Sequence, residues 1–219
     1  ENMENMFNGC SSLVKLNLTN FHTTNINNMK GLFSGCSSLI SIDATNFNTS
    51  KVINMNSMFS ECSKLSFLDT HNFNTINLID MKYMFKRCFS LISLNLSSFD
   101  TSKVEDMEGI FFECNSLTSL DLSNFKVNNV KTMAYMFSGC KLLILLKLPK
   151  ISNSAVQNVS HMFSDCSSLN SLDLSNFKPS EVISMDYMFS GCQFLTSLNI
   201  NNLSTQNVFD MKYMFAGCS

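Results

Sequence analysis

The residues with the clearest chemical potential are the cysteines, because thiolates bind metals, form disulfides and act as nucleophiles. The chain has 9 cysteines in 219 residues, and successive cysteines lie 26 residues apart. An odd number with one per period does not suit a paired disulfide framework, and the Cys-x-x-Cys spacing of zinc or redox sites is absent. Bridges between neighbouring periods would need suitable geometry and would still leave one thiol free. We therefore expect a ladder of buried thiols that pack as small hydrophobic groups.

A phenylalanine stands three residues before every cysteine, on the same apolar stripe. We expect these rings to join the thiols in the core. The predicted core ladder includes Cys36, Cys62, Cys88, Cys114, Cys140, Cys166, Cys192, Phe33, Phe59 and Phe85.

Other groups that could do catalysis are sparse. His22, His71 and His161 occupy different positions of the repeat, and no Ser/His/Asp or Cys/His set has a recognisable spacing. No glycine-rich phosphate loop occurs either. The sequence therefore predicts no catalytic residue, no enzyme activity, no metal and no cofactor.

One column of polar residues could form a ligand-binding strip. It lies between the last two leucines of each Leu-x-x-Leu-x-Leu segment, where alternation points the side chain outward. The strip comprises Asp43, Asp69, Asn95, Asp121, Lys147 and Asp173. A structural role, keeping the sheet face soluble, competes with binding of a protein, a glycan or a cation. Asp43 and Asp69 are in adjacent periods and should repel each other unless Ca²⁺ or another group bridges them.

All four tyrosines fall in a second column, five residues before the cysteine. They are Tyr83, Tyr135, Tyr187 and Tyr213. Tyrosine is favoured at interfaces because it combines a large area with a polar tip. The column predicts either a flank interface or rings that pack on neighbouring coils and fill the gap left by Gly109.

The 26-residue period is the signature of a solenoid, in which each unit buries its apolar face only by stacking. The apolar residues Met81, Met84, Phe85 and Cys88 have i, i+3, i+4, i+7 spacing, which predicts a short helix. Asn, Asp, Ser or Thr precedes this segment as a cap, and a glycine often ends it. The Leu-x-Leu run predicts a short strand that pairs in parallel with the next unit.

These motifs carry a family resemblance. The Leu-x-x-Leu-x-Leu-x-Asn run joined to Met-Phe-x-Gly-Cys-Ser-Ser-Leu resembles the leucine-rich repeats of BspA-like surface proteins, in the variety catalogued as a mycoplasma domain of unknown function. The resemblance covers essentially all 219 residues. It implies an α/β repeat solenoid of leucine-rich-repeat type, with one short parallel strand and one short helix per 26-residue coil. It also implies an extracellular or cell-surface protein that adheres or binds.

Residues 1–219 are expected to form a single solenoid of about eight repeats. Neither end reads as a polar capping repeat, so we expect the chain to be part of a longer protein. No apolar run is long enough to span a membrane, and a net charge of −2 gives no case for nucleic-acid binding. The sixth unit carries Lys141, Lys147 and Lys150, which indicates either repeat drift or a basic docking spot.

Two functions follow from these patterns. The first is a non-catalytic recognition or adhesion module, whose polar sheet face and irregular positions meet a protein or glycan ligand. The second is a structural rod that assembles with copies of itself into a filament or surface coat. The irregular positions are Phe67, Lys86, Arg87, Phe89, Phe112 and Lys147.

Overall fold

The computed structural model describes residues 1–152 and 155–219 as a stack of coils, one for each 26-residue period. We number the coils 1 to 9 by their cysteines, from Cys10 to Cys218. Short strands recur at two positions of the coil. They are β1 Ser41–Ile42, β2 Phe67–Leu68, β3 Ser119–Asp121, β4 Leu145–Lys147, β5 Ile151–Ser152, β6 Ser171–Asp173, β7 Phe177–Lys178 and β8 Ser197–Asn199. Of these strands in the described chain, six lie in the Leu-x-Leu segment, and β5 and β7 follow a few residues later.

The strands pair in parallel, each with the equivalent strand one coil away. The pairs β1–β2, β3–β4, β5–β7 and β6–β8 form separate two-stranded sheets. In β3, Leu120 is buried whereas Asp121 is exposed, as the period of two predicts. The strand prediction is therefore correct in position, but the pairing is interrupted.

The prediction of a short helix in each coil is wrong: the structure contains no helix among residues 1–152 and 155–219. In the segment that we predicted to be helical, two positions four residues apart have positive φ in every coil. In coil 2 these are Gly31 at +60° and Gly35 at +72°, and in coil 4 they are Tyr83 at +54° and Arg87 at +58°. Because an α-helix needs φ near −63° throughout, this backbone cannot be helical.

The hydrogen bonds explain what replaces the helix. Alternate N–H groups reach the next coil: Met29 donates to Asn54, Gly31 to Asn56 and Phe33 to Met58, at 2.8–2.9 Å. The groups between them turn back three residues, as Leu32 does to Met29. The backbone of each segment is thus satisfied partly by tight turns and partly by its neighbour, which makes a helix unnecessary.

The polar residue that we predicted as a helix cap starts this turn segment. Asn28, Asn54 and Asp80 each accept a hydrogen bond from the N–H two residues on, at 2.9–3.0 Å. Such Asx turns are favoured by short polar side chains. The same column forms an unbroken series of parallel bridges from Asn2 to Asp210. It is the most regular inter-coil pairing of the described chain.

The core is one continuous cluster of buried side chains that runs along the stack. At its centre, phenylalanine rings of successive coils are stacked with centroids 5.4–5.7 Å apart and planes within 1–11°. Stacking with this spacing adds to the burial of large apolar area. The ring column therefore fixes the register of each coil on the next.

Candidate ligand-binding site

The polar strip lies on the outer side of the strands and has a structural task. Asp43 accepts hydrogen bonds from the Thr45 N–H at 3.1 Å and the Thr45 hydroxyl at 2.6 Å. Asp121 does the same with Ser123 at 3.0 and 2.6 Å. These Asx turns begin the corner after each strand. Asn and Asp thus recur in this column because they close a turn.

Hydrogen bonding holds the strip carboxylates in the charged form. The Thr45 hydroxyl and N–H lower the pKa of Asp43. The Ser123 hydroxyl, with help from Lys147, lowers the pKa of Asp121 to about 2. Lys147 itself lies in the strip and its Nζ is 2.9 Å from Oδ2 of Asp121. The strip therefore contains fixed anionic acceptors and one exposed ion pair.

In Asp43 and in Asp69, one carboxylate oxygen accepts hydrogen bonds within the turn that follows the residue. Asp69 accepts from the His71 N–H at 3.0 Å and contacts the His71 ring at 2.7 Å. Among the described residues, no group of three or more His, Cys, Asp or Glu side chains is placed to hold a metal ion. Calcium bridging of this pair would therefore have no third acidic side chain among the described residues.

The same face carries apolar side chains that the polar-strip prediction underestimated. Phe67 and Leu145 stand where most coils have serine, and they are 65% and 68% exposed. Ile40, Ile92 and Ile144 are exposed in the neighbouring column. Between coils 4 and 6 an open cleft of about 410 Å³ is lined by Ser93, Leu94, Asn95, Ser119, Leu120, Asp121, Leu145 and Lys147. We call this surface, from Phe67 to Lys147, the sheet face.

On the tyrosine flank, the Tyr83 ring fills the space above Gly109. A Cβ at Gly109 would lie 2.2 Å from the Tyr83 ring. The Tyr83 hydroxyl donates to Glu108, which also pairs with Lys82 at 2.7 Å. Burial and the bond to Glu108 raise the pKa of Tyr83. The Tyr83 ring thus packs between its own coil and the next one.

The other three tyrosines belong to one stack, and His161 is its missing member. Ring centroids are 4.5 Å apart for Tyr135 and His161, 4.6 Å for His161 and Tyr187, and 5.0 Å for Tyr187 and Tyr213. His161 shares the tyrosine column, which was the signal in the sequence that could have revealed this role. Tyr213 is 62% exposed, whereas the other two rings are half-buried.

The cysteines and phenylalanines of the predicted core ladder are buried, and the cysteines are free thiols. Each thiol from Cys36 onward donates to the carbonyl of the phenylalanine 29 residues earlier, at 3.0–3.2 Å. Burial raises the pKa of Cys36 to about 11 and that of Cys88 to about 12. These thiols are protonated donors within the core, without the thiolate that nucleophilic chemistry needs.

The three lysines of the sixth unit do not share one cleft. Lys147 lines the cleft of the sheet face, whereas Lys141 lines a different cleft beside Phe89 and Asp165. The idea of a single basic docking spot therefore has no geometric support from these two lysines.

Comparisons with known proteins agree with the repeat pattern. The model of the family described as "Mycoplasma protein of unknown function, DUF285" matches residues 1–119, 66–146 and 120–219. A leucine-rich repeat protein from Bacteroides ovatus is similar with 22% identity and a TM-score of 0.53, over 98% of this chain and 55% of that protein. The chain thus spans about half the length of that relative.

A second similar structure is the leucine-rich repeat protein of T. pallidum, with 21% identity, a TM-score of 0.44, and coverage of 85% of this chain and 69% of that one. No curated protein sequence matches the chain. At such low identity, the likeness to the Bacteroides ovatus structure shows the fold alone, a leucine-rich-repeat solenoid. Within the described part of the chain, no helix is long and apolar enough to cross a membrane.

Proposed function

Because the chain belongs to the family described as Mycoplasma protein of unknown function, DUF285, we propose that it is a non-catalytic recognition or adhesion segment of a cell-surface protein. The resemblance to BspA-like surface proteins supports the location. A protein ligand would bind on the sheet face.

One observation carries this proposal: Phe67 and Leu145 are large, apolar and exposed in a column that is otherwise mostly serine. A solenoid that needed only solubility would keep serine there. Exposed apolar anchors with a polar rim are typical of protein interfaces, where a few such residues carry most of the binding energy.

The spacing of the anchors favours a protein over a small molecule. Phe67 is in coil 3 and Leu145 is in coil 6, and parallel strands lie about 4.8 Å apart. The two anchors are therefore separated by roughly 14 Å along the stack. Between them, Asn95 and the Asp121–Lys147 pair offer polar groups that would orient a ligand. A surface of this length suits a partner that contacts several coils.

The experiment compares the wild-type chain with the double variant Phe67→Ser, Leu145→Ser on immobilised purified extracellular-matrix proteins. Serine is the residue of the neighbouring coils, so the variant is expected to fold. Binding should weaken at least about tenfold, as expected for loss of interface anchors. Phe194→Ser, at a residue 64% exposed outside the strand column, is the matched control and should bind like wild type. Equal binding by the double variant and wild type would contradict the proposal.

A further inference from the structure

A second group of departures from the repeat lies beside the cysteines, away from the strand columns. The residue just before the cysteine has positive φ in every coil, and glycine occupies it in coils 1, 2, 6, 8 and 9. The other four coils have side chains there: Glu61, Arg87, Glu113 and Asp165, at φ between +57° and +62°.

These four residues are unfavourable for the fold. A non-glycine residue in the left-handed region brings its Cβ too close to the backbone. The compensation visible here is an exposed ion-pair chain, with Arg87 2.8 Å from Glu113 and 3.5 Å from Glu61. Exposed ion pairs contribute little to stability. The cost of positive φ at these residues is not offset by stabilising contacts of similar size. Such strain is a reason to look for a function at these positions.

Aromatic rings stand among these charges. Phe89 replaces the serine that follows the cysteine in coils 1 to 3 and is 38% exposed. One well of about 410 Å³ lies on one side of Phe89, bounded by Glu61, Arg87 and Glu113. A second well of about 500 Å³ lies on the other side, with Phe112 as a further wall. Both volumes are within the range of about 300–1,000 Å³ typical of ligand sites. We call this surface, which includes Glu61, Arg87, Phe89, Glu113, Asn115, Lys141 and Asp165, the Phe89 groove.

Asn115 lines the second well, and its side-chain oxygen, which has no hydrogen-bond partner in the described chain, is covered from solvent behind that lining. Buried polar atoms in native proteins nearly always have a partner, and leaving one unpaired is costly. The acceptors that the well offers are the carboxylates of Glu113 and Asp165, and Lys141 is a donor. The well therefore offers a ligand several acceptors and at least one donor.

The composition of the groove selects among ligand classes. A cation would be repelled by Arg87 and Lys141, whereas an anion would be repelled by Glu61, Glu113 and Asp165. A peptide bound by strand addition would need free backbone groups, but the N–H groups of Glu61, Arg87 and Glu113 already donate to the next coil. A neutral molecule with an apolar face and many hydroxyl groups meets none of these objections.

We propose that the Phe89 groove binds a neutral saccharide, with a pyranose ring stacked on Phe89 and its hydroxyl groups held by Glu113, Asp165 and Lys141. The C–H face of a sugar ring matches the phenyl ring. Sugar hydroxyls both donate and accept, so they can satisfy the carboxylates and Lys141 together. Since wells lie on both sides of Phe89, two linked sugar rings can be held. This site is separate from the sheet face.

The test is saturation-transfer-difference NMR with lactose, maltose, cellobiose and N,N′-diacetylchitobiose at millimolar concentration. At least one disaccharide should receive saturation from the wild-type chain. Phe89→Ser, which restores the residue of the neighbouring coils, should reduce the apparent affinity at least about tenfold. Phe67→Ser, on the sheet face, is the matched control and should bind like wild type, so failure here is distinguishable from failure of the protein-binding proposal.

Three results would overturn the saccharide site. The first is an absence of transfer to all four disaccharides. The second is binding that persists in Phe89→Ser or is lost equally in Phe67→Ser. The third is stronger binding of trilysine or triglutamate that is removed by Phe89→Ser, because it would assign the groove to a charged peptide.

Discussion

At the residue scale, the repeated cysteine is explained by a single carbonyl group. The carbonyl of Phe85 accepts the N–H of Cys88 in its own coil at 3.2 Å and the thiol of Cys114 in the next coil at 3.0 Å. A carbonyl oxygen has two lone pairs, and this arrangement uses both. Cysteine is small enough for the buried position and still donates, which alanine cannot do. The thiol ladder is thus a structural hydrogen-bond ladder.

The ladder predicts which thiols react. Cys10 is exposed and Cys218 is half-buried, whereas the seven cysteines between them are buried. Because burial raises the pKa of Cys36, Cys88 and Cys140 to about 11 to 12, these groups should resist alkylation near neutral pH. Peptide mapping after N-ethylmaleimide treatment should find label at Cys10 and Cys218 only. Rapid native-state labelling of Cys114 would contradict this account.

A second residue-scale prediction concerns His161. Burial lowers the pKa of its ring below the usual 6.5, and Lys212 adds to this, although Asp186 and Asp165 act in the opposite direction. Since the unfolded chain then binds a proton that the folded chain does not, stability rises with pH in this range. The contribution is complete above pH 6.5 and is lost as pH falls below it.

The measurement is chemical denaturation of wild type and His161→Tyr across this pH range. Tyrosine stands in the same column in coils 6 and 8 with φ of +57° and +55°, so the substitution suits the backbone. The variant should lose less stability than wild type as pH falls below 6.5. Parallel pH profiles of the two proteins would refute the role assigned to His161.

At the element scale, the sequence predicted burial well and local conformation poorly. The apolar spacing of Met81, Met84, Phe85 and Cys88 is helical, and all four side chains are buried. They are buried in tight turns, however, and not in a helix. The apolar period of a sequence indicates which side chains face inward, but it does not specify which groups the backbone hydrogen-bonds to. In this segment about half of the backbone N–H groups donate to the next coil. Rules that use only neighbouring residues in the sequence cannot predict these inter-coil hydrogen bonds. The sequence contained one partial signal against a helix. Gly31 and Gly35 stand four residues apart within the predicted helix, and glycine is unfavourable inside a helix.

The candidate sites show the same division. The strip from Asp43 to Asp173 was predictable because strand alternation places it outward. Its Asx-turn role was not predicted, since it depends on the corner that follows each strand. The two wells beside Phe89 could not be foreseen, because Phe89, Asn115 and Asp165 belong to different coils and meet only through stacking.

The turn segment itself can be tested at Gly109. Replacing Gly109 with alanine should destabilise the chain by about 1–2 kcal/mol through its positive φ, and further because the new Cβ would meet the Tyr83 ring at 2.2 Å. In a Tyr83→Ser background the clash is absent, so the additional cost of Gly109→Ala should be smaller. Serine is tolerated at this column, as Ser57 with φ of +55° demonstrates.

Urea denaturation of the four proteins of this cycle gives the coupling between the two positions. Tyr83→Ser alone should also lower stability, because the ring packs over Gly109 and its hydroxyl binds Glu108. A Tyr83→Ser variant of unchanged stability that no longer self-associates would instead support the flank of Tyr83, Tyr135, Tyr187 and Tyr213 as an interface. Strictly additive effects would contradict the clash at Gly109.

At the scale of the whole molecule, the repeat separates scaffold from candidate sites. Columns that build the stack, such as the phenylalanines and cysteines, hardly vary from coil to coil. The departures on which the two proposals rest lie in coils 3 to 7 and on two surfaces, the sheet face around Leu145 and the groove around Phe89. A spacer gains nothing from such departures, whereas a recognition module needs them. This pattern is the central reason for preferring recognition over self-assembly.

Size-exclusion chromatography with multi-angle light scattering tests that preference most directly, on the chain fitted with a polar capping coil at each end. The caps prevent end-to-end stacking through Phe209 and Phe215, which are 79% and 46% exposed in the last coil. The account predicts an elongated monomer over the whole concentration range. Discrete oligomers or ordered filaments would contradict it and make the structural rod the primary function.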